Sequence, residues 1–331
     1  MSQSLLKRMF RRIRRAWWKP RILKRQVTSG TSPPRQCRIW QLSGKPVVYS
    51  ISETDLPGRG TQTGLPVIVH YFDILWNQVL AQYFTPEQHI FIKINLNTAD
   101  PYPASTDIQF LSFLVDFLWT RGCHKISVGD CTSIGSLPTR RVGRKLGIEK
   151  ALQGKARVVY LDEELWVKIP VKGQYLKEVT VARPPLEADR IISVVNLKTH
   201  FQAGFSLGMK AGVGFLHPLE RYDLHKKNLP EKIAEINLAI SPDLTIVDGR
   251  KAMITGGPSQ GRVEQGYGVL VGTNLLAVEV EGYRQLYELK KAFSCLDHFP
   301  EDPFQMTQLR YGRDIGIGGM PWNGYEVVEI R

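Results

Sequence analysis

Cysteine is scarce. The 331 residues hold four, Cys37, Cys123, Cys131 and Cys295, far apart and without a C-x-x-C pair. That spacing removes the usual basis for an iron–sulfur cluster or a structural zinc site. Cys131 has no histidine near it in sequence, so a cysteine nucleophile lacks its base. No run of about 18 apolar residues occurs, so no transmembrane helix is expected. No G-x-G-x-x-G or Walker loop follows any expected strand, which leaves a dinucleotide or P-loop site without support. Few cysteines and no secretory apolar region fit a reducing, cytoplasmic compartment.

Acidic residues are absent from residues 1–50, which carry thirteen Lys and Arg. The rest of the chain then has 44 − 13 = 31 basic residues against 31 acidic ones, so the net charge of +13 belongs to this tail. A neutral body makes a nucleic-acid-binding core an unfavoured reading. Within the tail, Leu6, Phe10, Ile13 and Trp17 recur at helical spacing among Arg and Lys, and Trp17, Trp18 and Pro20 close the segment. A basic amphipathic helix over residues 5–25 is expected. It reads as a contact to an anionic membrane surface or as a solvated arm, and both readings stay open.

Residues 26–45 read as a linker. Beyond it, strands are expected at 46–52, 89–96, 125–129 and 156–161, alternating with helices over 68–84, about 106–121 and 139–146, the second capped by Ser105 or Thr106. A hairpin is expected over 165–185. A second α/β run follows, with strands at 190–195, 244–247 and 267–271, helices at 230–240 and 274–291, a Gly/Pro loop at 255–261 and a last strand at 326–330. This order is the signature of an α/β fold with a largely parallel sheet. The expected architecture is two Rossmann-like lobes, 46–185 and 186–331, with a central cleft, preceded by the tail and linker 1–45.

The densest polar chemistry lies in Val194–Lys226, VVNLKTHFQAGFSLGMKAGVGFLHPLERYDLHK, directly after the apolar run 190–195. Open α/β sheets bind ligands at the carboxyl ends of their strands, so this stretch is where a site is expected. His200, Lys210 and Arg221 are candidate catalytic groups. A desolvated lysine becomes a nucleophile or an anion ligand, and an arginine can clamp a carboxylate or phosphate. His200, His225 and Asp248 are candidate metal ligands, with His217 or Glu279 as other third partners, because neutral imidazole ligates transition metals. Across the cleft, Lys93, Asn95 and Asp130 sit at strand ends and, with Lys210, are candidate cofactor-binding residues. For His217, Arg221 and Asp248 the structural alternatives are a satisfied core histidine, a salt bridge and a turn-forming aspartate before Gly249.

Three segments, IKINLNTADPYPAST at 92–106, LKTHFQAGFSLGMKAGVGFLHPLERYDLH at 197–225, and TIVDGRKAMITGGPSQG with GVLVGTNLLAVEVE within 245–281, resemble the family catalogued as domain of unknown function 362. The ferredoxin module that many members carry is missing. More distantly, His200-Phe201-x-Ala203-Gly204-Phe205-Ser206-x-Gly208-x-Lys210, with His225 beyond it, is similar to the lactate racemase stretch that carries the nickel-pincer nucleotide. That resemblance implies Lys210 as the residue bonded to the cofactor, His200 as an acid/base and His225 as a nickel ligand. Two departures count against it. Gly129-Asp130-Cys131-Thr132-Ser133 replaces the Gly-Thr-His loop of the racemases, and Leu161-Asp162 stands where they place a second acid/base histidine. The expected function is an enzyme with a metal- or cofactor-bearing cleft acting on a small anionic substrate. The alternative is a non-catalytic binding or scaffold protein recruited to a membrane by residues 5–25. Reaction class, metal and oligomeric state stay open.

Overall fold

The computed structural model describes residues 27–35, 45–51, 65–133, 135–319 and 321–330. The basic amphipathic segment 5–25 lies outside the described residues. Twelve strands are present: β1 (Val27–Thr31), β2 (Val47–Ile51), β3 (Ile90–Lys93), β4 (Ile126–Asp130), β5 (Arg157–Tyr160), β6 (Trp166–Pro170), β7 (Glu178–Ala182), β8 (Arg190–His200), β9 (Gly204–Ser206), β10 (Leu244–Met253), β11 (Val263–Gly272) and β12 (Glu326–Ile330). Nine of them form one sheet in the order β12-β2-β11-β10-β8-β3-β4-β5, with β9 folded back on β8. Along that path every pairing is parallel except those on either side of β11. A smaller sheet, β1-β6-β7, contains the expected hairpin. It also takes up Val27–Thr31, in a segment whose composition reads as linker.

The strands that alternate with helices in sequence pair as a mainly parallel, covered sheet, the expected α/β fold. The buried runs IFIK of β3 and ISVGD of β4 have no solvent-facing side, as in sheets with helices on both faces. Alternation along each strand divides the core in two. Ile90 and Ile92 of β3 and Ile192 and Val194 of β8 pack with Phe72, Phe110 and Leu114 of the helices Leu65–Gln78 and Ile108–Trp119. Phe91, Ile191 and Val195 face the opposite side, against the helices Leu229–Ala239 and Leu275–Ala292 and the small sheet. Both α/β runs thus meet edge to edge in one sheet, at the β3–β8 pairing.

Several boundaries differ from the sequence reading. The helix at 108 is capped by Asp107, which accepts from the Gln109 N–H, rather than by Ser105 or Thr106. β8 continues to His200, five residues past the end of the apolar run, and β10 continues past Asp248 to Met253. Leu65–Gln78 starts earlier than expected and ends before a separate short turn of helix. Among the described residues no helix is long and apolar enough to cross a membrane.

Candidate functional site

In chain order β3, β4 and β5 step outward in one direction, and β8 then returns to pair with the other edge of β3. The winding reverses between β3 and β8. The loops leaving neighbouring strands diverge there and open a crevice at the carboxyl ends. A cleft lies at this place, with about 560 Å³ of empty space including the solvent at its mouth. Its polar lining comes from Lys93, Asn95 and Asn97 after β3, Asp130 at the end of β4, Asn196 and Lys198 on β8, and Lys210 and Arg221 beyond it. The cleft joins residues of both α/β runs.

Positive charge dominates. Lys93 and Asp130 pair at 2.7 Å, and the Lys93 ammonium also donates to the Ile94 carbonyl at 2.7 Å. The other Asp130 oxygen accepts from the Leu96 N–H at 2.6 Å, fixing the turn after β3. Burial still holds Lys93 below the ordinary lysine range, against the pull of Asp130. Gly214 crosses directly above the pair. A Cβ there would collide with Asp130 Oδ1 and with Lys93 Cε and Nζ. Gly214→Ala is therefore expected to lower stability by about 1–3 kcal/mol, the range for overpacking a tight interior, read as a lower urea midpoint at unchanged m-value.

Lys198 is almost fully buried on β8, and its ammonium donates to the carbonyls of Ala104, at 2.6 Å, and Pro258, at 3.2 Å. Asn196 sends both amide hydrogens to the Pro103 and Ser105 carbonyls, each at 2.7 Å. Together they fasten the loop after β3 over the strand ends. The Asn196 Oδ1 is buried on the cleft wall without a hydrogen-bond partner. Burial, and then the charge of Lys210, bring the Lys198 pKa down to about 7.

Lys210 differs from the other cations. It sits on the short helix Gly208–Ala211, partly exposed to the cleft, and among the described residues no hydrogen bond or ion pair engages its ammonium. Burial of its stem, with Arg221 and Lys93 as cationic neighbours, brings its pKa down to about 8. The helix that carries it is held from behind. Glu279, fully buried on Leu275–Ala292, accepts from the Met209 N–H at 3.0 Å and from the Gln308 side-chain amide at 2.8 Å. Burial pushes the Glu279 pKa up to about 8, opposed by its hydrogen bonds to Met209, Gly208 and Gln308.

Arg221 takes a part that its spacing does not suggest. Its Nε donates to Leu216 O at 2.9 Å, one terminal nitrogen to Cys131 O and Thr132 O at 2.9 and 3.0 Å, and the other to Gly214 O at 2.7 Å. Backbone carbonyls, rather than an acidic ligand or a salt-bridge partner, occupy these donors. They tie the loop after β4 to the segment 214–216 and so build the wall of the cleft. Beside it, burial pushes the Cys131 thiol up to about 12, away from thiolate chemistry.

The candidate metal ligands are not assembled as one group. Among the described residues, no three His, Cys, Asp or Glu side chains are placed so that they could hold a metal ion. Asp248 is committed elsewhere. One oxygen accepts from the Tyr102 hydroxyl at 2.7 Å and Arg250 Nε at 3.0 Å, the other from Arg250 Nη2 at 2.8 Å. Arg250 also binds Asp107 at 2.6 Å, so Asp248 belongs to a buried network that locks the 102–107 loop onto β10. His217 caps the helix Pro218–Leu224 through Nδ1 and packs edge-on against Trp166 with ring centroids 4.9 Å apart, the satisfied core histidine of the structural alternative. Glu279 is engaged as described above.

His200 and His225 lie beside Lys210 and outside the cleft lining. His200 Nδ1 accepts from the N–H groups of Gln202 and Ala203, both at 3.2 Å, and its ring lies under that of Phe201 at 5.1 Å. Burial, followed by the charge of Lys210, pushes its pKa far below the ordinary histidine range, so the ring stays neutral. His225 Nδ1 bonds the Arg221 carbonyl, which makes this nitrogen the donor and leaves the lone pair on Nε2. Burial brings its pKa to about 4. For the nickel-pincer nucleotide implied by the racemase resemblance, an unpartnered Lys210 and an available His225 Nε2 are suitable. The donor set as a whole does not fit, because Asp248 and Glu279 are engaged and Thr132, in the loop replacing Gly-Thr-His, bonds Leu137 O and Thr139.

The sequence pattern singled out Lys93, Asn95, Asp130, Lys210 and Arg221, which the fold brings to one cleft. Asn97, at a strand end on the same edge, belongs to that pattern as part of the cleft wall, while Asn196 and Lys198 are given no role in the site. The signal for Asn196 and Lys198 was available, as polar residues spaced by two at the end of a buried strand.

A doubly wound α/β sheet with a basic cleft at its switch point defines the class of this protein. The chain belongs to the family described as Domain of unknown function (DUF362), which it matches over residues 90–284. No curated protein matches it. Among solved structures, the lactate racemase apoprotein from Thermoanaerobacterium thermosaccharolyticum is similar, with 13% identity, a TM-score of 0.29, and coverage of 63% of this chain and 51% of that chain. The match thus spans about half the length of the racemase.

Proposed function

We propose that the protein is an enzyme whose cleft binds a small anionic substrate, with Lys210 as the residue that meets it. The observation that carries this reading is the inequality among the cations. Lys93, Lys198 and Arg221 are each bonded to protein oxygens, while Lys210 is not. Among the described residues of the lining, Asp130 is the one carboxylate. An anion entering the cleft meets three further cations and one available ammonium. It is attracted by all of them and bonds directly to one.

The test is binding of inorganic phosphate to the full chain at low salt by calorimetry. Lys210→Met is expected to weaken binding by roughly tenfold to a hundredfold, the effect of removing one charge-assisted hydrogen bond. Affinity unchanged in Lys210→Met, or no binding by the wild type, would overturn the reading.

A further inference from the structure

We propose that Lys210 Nζ is an imine-forming nucleophile, and that the ligand class of the cleft is a small anionic aldehyde or ketone. The inference rests on the anion-binding reading and extends it from binding to bond formation.

The geometry points this way because a lysine serves two different ends depending on its contacts. Lysines that only balance charge or build walls are bonded to oxygens, as Lys93 and Lys198 are. A lysine that attacks carbon needs a free lone pair, access to the ligand and no carboxylate partner to hold its proton. Lys210 lines the open cleft, has no bonded partner, and is surrounded by Lys93, Lys198 and Arg221. Cationic neighbours and desolvation are the two means by which an amine is kept unprotonated near neutral pH. The same cations attract the carboxylate of a carbonyl acid and stabilise the oxyanion that forms on attack.

The step balances with the groups present. The Nζ lone pair attacks the carbonyl carbon, a C–N bond forms, and the carbonyl electrons move to oxygen. A proton passes from nitrogen to oxygen through solvent in the open cleft to give a carbinolamine. A second proton, taken from solvent at the open mouth of the cleft, converts the hydroxyl to water, which leaves while the nitrogen lone pair closes a protonated C=N bond. No oxidant, reductant or metal is required.

The experiment uses the full chain, glyoxylate as probe and cyanoborohydride to reduce any imine, with intact mass and peptide mapping as readout. The expected result is one carboxymethyl group, on Lys210, forming roughly tenfold faster than on the exposed Lys150 and Lys172. Lys210→Met should leave only the slow surface reaction. Should that variant misfold, phosphate protection of the wild type replaces it, slowing Lys210 and leaving Lys150 and Lys172 unchanged. Equal labelling of Lys210 and the surface lysines overturns the inference. If phosphate binds and Lys210 is not labelled, imine chemistry fails and anion binding stands. If Lys210 is labelled and phosphate neither binds nor protects, the anion-binding reading fails.

Discussion

Asp130→Ala is expected to lose roughly 3–5 kcal/mol of stability, the usual consequence of removing one partner from a buried ion pair. Lys93 and Asp130 have side chains only 3% and 5% exposed, so neither can turn to water for compensation. Without Asp130, the Lys93 ammonium keeps one carbonyl, Ile94 O, and faces the charge of Arg221. The Leu96 N–H also loses its acceptor. The loss is assigned to stranded charge, so it should be relieved by removing that charge. Asp130→Ala combined with Lys93→Met is expected to recover most of the difference in urea unfolding, leaving the smaller effects of a shortened side chain and one unpaired N–H. If the double variant is no more stable than Asp130→Ala, the pair is not what holds this corner together.

Glu279 should contribute stability that falls as pH rises from about 4.5 to 8, while the lowered pKa values of His200, His225, Lys198 and Lys210 act in the opposite direction. Burial raises its folded-state pKa from the ordinary value of 4.5 to about 8. Between those values the folded protein keeps the proton that the unfolded chain releases. The unfolded state then binds fewer protons, and the free energy of unfolding decreases with pH. The stabilising contribution is fully present below the unfolded pKa and is lost as pH rises through about 8. The slope of this contribution is at most about 1.4 kcal/mol per pH unit. Glu279→Gln keeps the shape and one acceptor oxygen for the Met209 N–H. Its new amide can donate to Gln308 Oε1, a buried atom that has no partner in the wild type. The variant is expected to lose this contribution, so that its stability relative to the wild type rises between about pH 4.5 and 8 and exceeds it above pH 8. Thermal melts across the range decide it, and parallel profiles for the two proteins would exclude Glu279 as the source.

The two effects bear on the site in different ways. Lys93 and Asp130 fix the wall that Gly214 closes. Glu279 holds the amino end of the short helix that presents Lys210, through the N–H groups of Gly208 and Met209.

The sequence by itself determined the α/β order, the apolar strands and the stretch in which the site is centred. Those features are local. An apolar run such as IFIK needs no knowledge of its partners to read as a buried strand, and five polar side chains of the cleft sit at strand ends or in the stretch after β8. The sequence could not show that β8 runs on through Asn196, Lys198 and His200. Polar residues end a strand in a pattern reading, and Asn196 and Lys198 continue it here because carbonyls of the 103–105 loop, distant in sequence, satisfy them. The same limit applies to Asp248, Arg221 and Lys210, which in sequence are only an aspartate before a glycine, an arginine and a lysine. Tyr102 and Arg250 withdraw Asp248 from metal binding, four backbone carbonyls make Arg221 part of a wall, and Lys210 keeps its ammonium available. Hydrogen-bond satisfaction is a property of neighbours in space. Tertiary structure alone therefore decided which of these polar residues build the cleft and which one keeps its ammonium without a bonded partner among the described residues.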